Sequence, residues 1–123
     1  RRATLPLRFF ELDNVVALDE RSETGAREER RLAFAEMGPQ ASYASVRAVV
    51  DAVLFELGLT AAYSPTEDPA FIPGRVASFS TASTGSAPAP LTGRLGELHP
   101  QSITNFGLDH PVAVAELCLQ RLF

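Results

Sequence analysis

Proline and glycine punctuate residues 91 to 119 so closely that little but strand, short helix and strand fits between them. Leu91–Leu95 is an apolar run that Gly96 closes. Pro100 suits the first position of a helix, where its missing N–H costs nothing. Gly107 suits the C-terminus of that helix, and Pro111 prevents its continuation. Val112 to Leu119 then reads as a β run. His99 precedes Pro100, which points to a place at the helix N-terminus; His110 also precedes a proline and reads as loop.

The rest of the chain holds one clear helix among β patterns. Val46, Val49, Val50, Val53, Leu54 and Leu57 fall at the spacings of one helical face. Ser42 or Ser45 can cap the start and Gly58 ends it. Before the helix, Leu7 to Leu18 is rich in Phe, Val and Leu and reads as a strand, with Asp13-Asn14 as its weak point. Asp19 to Gly25 is a polar loop. In Arg30 to Met37 the alternation of Leu32, Phe34 and Glu36 suggests a strand, although the Ala, Glu and Arg content favours helix. The strand reading makes an antiparallel hairpin with the first strand. After the helix, Leu59 to Tyr63 is a short strand and Pro65 to Pro69 a turn-rich acidic loop. Phe71-Ile-Pro-Gly74 reads as a tight turn into a strand, Arg75–Ser80. Ser80 to Pro90 is so rich in Ser, Thr, Ala and Pro that it reads as a mobile hairpin loop. The sum is an α+β layout: an antiparallel sheet with one main helix on a face.

A length of 123 residues suggests one domain, and 46% hydrophobic content with 21% charged is ordinary for a globular one. The chain starts at Arg1 and ends at Phe123 inside an apolar pattern, so it reads as a fragment of something larger, residues 1–123 forming a single module. The net charge of −4 argues against a dedicated nucleic-acid surface. Every basic residue is Arg, as in a GC-rich or mildly salt-adapted source. Cys118 is the sole cysteine, which excludes an internal disulfide and suggests a cytoplasmic compartment. In its apolar run it reads as a buried inert thiol. No run of about 18 apolar residues is present, so no membrane helix is expected.

Side chains that could carry chemistry are few. Glu97 with His99, and Asp109 with His110, could imitate an acid/base cluster, but nothing in the sequence shows that they converge. Two histidines eleven residues apart match no strong metal spacing. Gly-rich phosphate loops are missing, and the absence of lysine excludes Ser-x-x-Lys chemistry. Arg75 begins a strand after a Pro-Gly turn. It reads either as half of a surface ion pair or as a contact to a partner, for which its planar fork is suited. Phe71-Ile72 beside it reads either as an exposed apolar anchor or as packing under the loop.

Four blocks, in order and spanning nearly the whole chain, carry a resemblance. They are Pro6-Leu-Arg-Phe-Phe-Glu-Leu-Asp-Asn14, Glu23-Thr-Gly-Ala-Arg-Glu-Glu-Arg-Arg-Leu32, Pro69-Ala-Phe-Ile-Pro-Gly-Arg75, and Gly96-Glu-Leu-His-Pro100 with Asn105-Phe-Gly-Leu-Asp-His-Pro111. Together they resemble the phenylalanyl-tRNA synthetase β subunit in its archaeal and eukaryotic-like form. The resemblance implies an antiparallel sheet flanked by helices, a degenerate core of the class II aminoacyl-tRNA synthetase kind. It implies a partner, the catalytic α subunit, in an α₂β₂ assembly that charges tRNA(Phe) with phenylalanine. ATP and magnesium would belong to that holoenzyme, and no residue here is assigned to either.

The class II pattern places one phosphate-binding arginine in an Arg-x-Glu spacing and another in a Gly-rich segment near the end. Here Arg8-Phe9-Phe10-Glu11 sets the arginine one residue early, with Phe9 in its place, and a shift of one turns Arg8 to the opposite face of a strand. Phe106-Gly-Leu-Asp-His-Pro-Val112 has neither the Gly run nor the arginine. Catalytic, cofactor-binding and metal residues are therefore assigned to none. Phe71, Arg75, Glu97 and His99 are the candidate contacts to the partner subunit or to tRNA. The rival reading is a free-standing module that binds a small ligand over the sheet.

Overall fold

The computed structural model describes residues 6–18, 26–83, 91–105, 107 and 109–118. Its strands are β1 (Leu7–Leu18), β2 (Ala26–Met37), β3 (Leu59–Pro65), β4 (Phe71–Ser83), β5 (Thr92–Leu98) and β6 (Val112–Cys118). Helix α1 (Tyr43–Glu56) lies between β2 and β3, and α2 (Pro100–Asn105) between β5 and β6. The strands form one sheet in the order β1-β2-β6-β5-β4-β3, with every neighbouring pair antiparallel. The chain thus lays down one hairpin, builds the far side of the sheet, and inserts its last described strand into the middle.

Helix α1 packs on one face of this sheet. Val46, Val50 and Leu54 are its buried residues, one or two turns apart. Beneath them lie Phe34 of β2, Ala113, Ala115 and Leu117 of β6, Leu95 of β5 and Phe79 of β4. Val49 is partly buried against this core, whereas Leu57, expected on the same face, is the helix C-cap and is exposed. Full burial of a side chain such as Leu54 or Leu95 contributes about 1.5–3 kcal/mol. The helix covers the middle of the sheet and leaves β1 at the margin, where Phe9, Phe10 and Leu12 are exposed.

Several expectations need correction. β1 is unbroken at Asp13-Asn14, because both residues are exposed on an edge strand and pair in register with Arg31 and Arg30. β2 starts at Ala26, four residues before the expected Arg30: the mixed-charge block continues the ribbon past the end of β6, whose pairing with β2 stops at Arg31. Phe71–Gly74 belongs to β4. The turn-like signal of Pro73-Gly74 is a register irregularity between Phe71 and Val76. Gly96 does not close its strand; β5 runs on to Leu98. A Cβ at Gly96 would come within 2.5 Å of the Arg75 carbonyl oxygen and 2.8 Å of Phe71 Cδ1, so glycine is needed for close approach and not for a turn. Gly107, by contrast, has φ +73°, as expected beyond a helix end. β3 extends two residues past Tyr63. The strand expected to end at Ser80 reaches Ser83, and the remainder of the 80–90 loop, like Leu119, lies outside the described residues. Among the described residues no helix is long and apolar enough to cross a membrane.

Candidate functional site

Alternation along β2 puts Leu32, Phe34 and Glu36 on the face that α1 covers. The last of these is a carboxylate with only 2% of its surface exposed. In register, Glu36 pairs with Arg8 on β1 and with Ala113 on β6, and Ala113 pairs in turn with Glu97 on β5. Two carboxylates thus share one cross-strand row, separated by an alanine, beneath the start of α1.

That start explains both of them. The first turn of a helix leaves backbone N–H groups without intrahelical partners and carries a partial positive charge. The first turn of α1 contains no acidic residue. Ser42 and Ser45 satisfy two N–H groups reciprocally in a capping box: the Ser45 N–H donates to Ser42 Oγ (3.0 Å) and the Ser42 N–H to Ser45 Oγ (2.9 Å). The sheet supplies two further acceptors. The Tyr43 N–H donates to Glu97 Oε2 at 2.9 Å, and the Ser45 hydroxyl donates to Glu36 Oε1 at 2.6 Å. Of the two serines expected at the start, Ser42 is the N-cap and Ser45 completes the box from the third helical position.

An arginine closes each end of the row. Arg8 Nε donates to Glu36 Oε2 at 2.7 Å, and Arg75 Nη1 donates to Glu97 Oε1 at 3.1 Å. Burial alone would push the Glu36 carboxyl up. Hydrogen bonds from Ser45 and Arg8, with the Arg8 charge, outweigh it and hold the group below the ordinary glutamate range. Arg8 therefore points to the helix-covered side, as its one-residue offset from Glu11 predicts. Phe9, on the other face, is 53% exposed.

Beyond Glu97 the row opens into a cavity of about 300 Å³. The irregular stretch of β4, the end of β5, α2 and the start of β6 wall it. Arg75, Glu97, Asp109 and His110 line it together with apolar side chains that include Ile72, Leu98, Ile103 and Val112. The sequence alone gave no sign that Glu97, Asp109 and His110 converge; they share this cavity. His110 Nε2 lies 3.4 Å from Asp109 Oδ1. His99 is used otherwise: its Nδ1 accepts from the Gln101 N–H at 3.1 Å, and its carbonyl accepts from Ser102 and Ile103, so it caps α2. Phe71 pairs with Leu98 and is buried against Gly96. Of the four candidate contacts, Arg75 is exposed, Glu97 and His99 are half-buried and Phe71 is buried.

On the face away from α1 a second cavity, about 390 Å³, is lined by Ala33, Phe71, Arg94, Val114, Ala115 and Glu116. Its charged members are engaged with other residues: Arg94 with Asp68, and Glu116 with Arg31 Nη1 at 3.0 Å. The Ala70 N–H and Arg94 hold the Asp68 carboxyl below its ordinary range. Among the described residues no three His, Cys, Asp or Glu side chains group as metal ligands would. Cys118 is half-buried at the end of β6 and forms no disulfide.

Residues 1–119 match the family model described as the phenylalanyl tRNA synthetase beta chain CLM domain. Over 117 residues, 95% of the chain, it is 39% identical to the phenylalanine–tRNA ligase beta subunit of Thermofilum pendens, covering 20% of that protein. It is 32% identical over 114 residues to the same subunit of Methanosphaera stadtmanae, covering 92% of the chain and 20% of the relative. The figure is again 32%, over 122 residues, for the subunit of Saccharolobus islandicus, with 99% of the chain and 21% of the relative covered. The chain thus spans about a fifth of the length of the curated relatives it matches.

Proposed function

The chain belongs to the phenylalanyl-tRNA synthetase β-chain family, within its CLM domain, and we propose that it serves there as a non-catalytic structural module. It supports a catalytic α subunit, in an α₂β₂ assembly, that charges tRNA(Phe) with phenylalanine at the expense of ATP. The six-stranded antiparallel sheet with α1 on one face is then a degenerate class II synthetase core. The assembly acts in the cytoplasm, and ATP and Mg²⁺ belong to the holoenzyme.

One observation carries this reading: the engagement of Arg8. Activation of an amino acid by ATP depends on fixed cations that neutralise charge developing on phosphate oxygens. The strand position that would present such a cation on the open face holds Phe9. Arg8 lies on the helix-covered face, bound to Glu36. Arg94, which reaches the open-face cavity, is bound to Asp68. These residues do not fit a nucleotide site. Phe71, Arg75, Glu97 and His99 mark the contact to the α subunit. Arg75 makes it, Glu97 orients Arg75, and His99 and Phe71 fix α2 and the β4–β5 backbone behind them.

Co-expression of the full-length β subunit with a tagged α subunit of the same organism tests the proposal. A stable complex that charges tRNA(Phe) only when both are present supports it; ATP–pyrophosphate exchange by the β subunit alone overturns it. The cavity on the open face favours one second reading, a free-standing small-ligand module. Calorimetry with phenylalanine and with ATP separates the two, because the structural reading expects heat from neither.

A further inference from the structure

Arg75 and the cavity beneath it specify more than a surface of contact. The guanidinium side chain is 59% exposed, and its one described polar partner is Glu97, through Nη1 alone. A guanidinium carries several further N–H donors in a planar fork that suits a carboxylate. Directly beside it is a recess of about 300 Å³ whose walls include Ile72, Leu98, Ile103 and Val112. Asp109, 90% exposed, lines it too, with His110 Nε2 3.4 Å from its Oδ1. An occupant therefore meets apolar walls and, among the charged lining residues, the exposed guanidinium of Arg75, which keeps N–H donors beyond the one that Glu97 uses. The Glu97–Tyr43 bond ties the cationic side to the start of α1, so Arg75 is held from a rigid element.

We propose that this recess receives one apolar side chain of a partner protein segment, carried next to an Asp or Glu whose carboxylate pairs with Arg75. This rests on the reading of the module as a subunit contact and names the chemistry of what it contacts. The exposed Arg75 guanidinium argues for such a segment. A basic residue next to the apolar anchor would face Arg75 and be repelled. The recess has room for one large apolar side chain, the kind of anchor that dominates interfaces when seated in a pocket.

The test uses the full-length αβ complex with p-benzoylphenylalanine in place of Thr104, an exposed residue of α2 on the cavity wall. The expected photo-crosslink is to an α-subunit peptide with an apolar residue within two positions of an Asp or Glu. Arg75→Glu should lower its yield about tenfold, as when an ion pair becomes a like-charge contact, while Arg75→Lys retains most of it. If the complex forms but Thr104 crosslinks to nothing, or to a segment with no acidic residue, the inference is overturned and the structural reading stands. A crosslink that Arg75→Glu leaves unchanged overturns it as well. Failure of full-length α and β to associate at all overturns the structural reading and this inference with it.

Discussion

The two carboxylates beneath α1 begin from the same chemistry and end in different places. Glu36 is 2% exposed and holds the Ser45 hydroxyl at 2.6 Å and Arg8 at 2.7 Å. Glu97 holds the Tyr43 N–H at 2.9 Å and Arg75 at 3.1 Å, and its side chain keeps 15% exposure beside a cavity. Both complement the positive end of the same helix. The difference comes from what lies over each. Ser45 of the capping box lies over Glu36. Beside Glu97 the strand pairing loses its register between Phe71 and Val76, and the sheet opens. One end of the row buries its carboxylate under the helix and the other leaves its carboxylate partly open beside a cavity, while the arginine at each end is exposed. A buried carboxylate is costly to leave without its hydrogen-bond partners, and its own removal leaves theirs unmet, so the closed end is where substitution should be felt most.

Glu36→Ala should therefore have the largest effect. It leaves the Ser45 hydroxyl only the Ser42 carbonyl to donate to, opens a small void under α1 and frees Arg8, which can return to water. A loss of about 2–3 kcal/mol is expected in urea denaturation of the chain. Glu97→Ala removes an acceptor from one N–H of the first turn, which water can partly replace, and should cost about 1 kcal/mol. If the two losses are equal, the contrast between a closed and an open end is wrong.

The closed end should also show in pH dependence. Glu36 titrates below its ordinary value of 4.5 in the folded chain, so it binds a proton less readily there than when unfolded. Its contribution is whole above about pH 4.5 and fades as the pH falls through the lower folded value. Glu36→Gln keeps the hydrogen-bonding shape but cannot titrate, and should flatten the acid limb of stability below that pH. An acid limb identical in the two chains would remove Glu36 from the account.

Much of this architecture is legible in the sequence, and the part that is not has a physical reason. Helix α1, its capping serines, the Pro100 start and Gly107 end of α2, and the strand character of β1 all rest on local signals. Glu36 carried a signal too: it falls in the same alternating register as Leu32 and Phe34, and an acid at an apolar position is a buried charge awaiting a partner. Its partners were not legible. Arg8 is 28 residues away, and the link to Glu97 passes through Ala113 on a strand inserted from the far end of the chain. Cross-strand register between such distant segments has no local sequence mark. Gly96 was misread for a related reason. Glycine marks turns and close backbone approaches alike, and only the position of Phe71 and Arg75 on the neighbouring strand tells them apart.

Loss of the capping box falls between the two ends in position and close to Glu97 in size. Ser42→Ala removes the acceptor for the Ser45 N–H, and the expected loss is about 1 kcal/mol. Combined with Glu36→Ala the two should not add, because Ser45 is shared by both networks. A double-mutant cycle measures that coupling directly, and strict additivity would mean that the capping box and the carboxylate row act separately.

The smallest effect on stability belongs to Arg75→Ala, and that small value is what makes it useful. The pair with Glu97 is largely exposed on the arginine side, so screening by water should hold its contribution to about 0.5 kcal/mol or less. Glu97 keeps its bond to the Tyr43 N–H without it. A full-length β subunit carrying Arg75→Ala should therefore fold as the parent does while binding the α subunit more weakly, with the loss largest at low salt, where unscreened charges act. Arg8→Ala supplies the internal control. Its guanidinium is also substantially exposed, but it serves the closed end, so it should move stability and leave assembly alone. If Arg75→Ala destabilises the fold as much as Arg8→Ala and has no separate effect on assembly, both arginines are plain caps on a structural row, and the open end has no role that the closed end lacks.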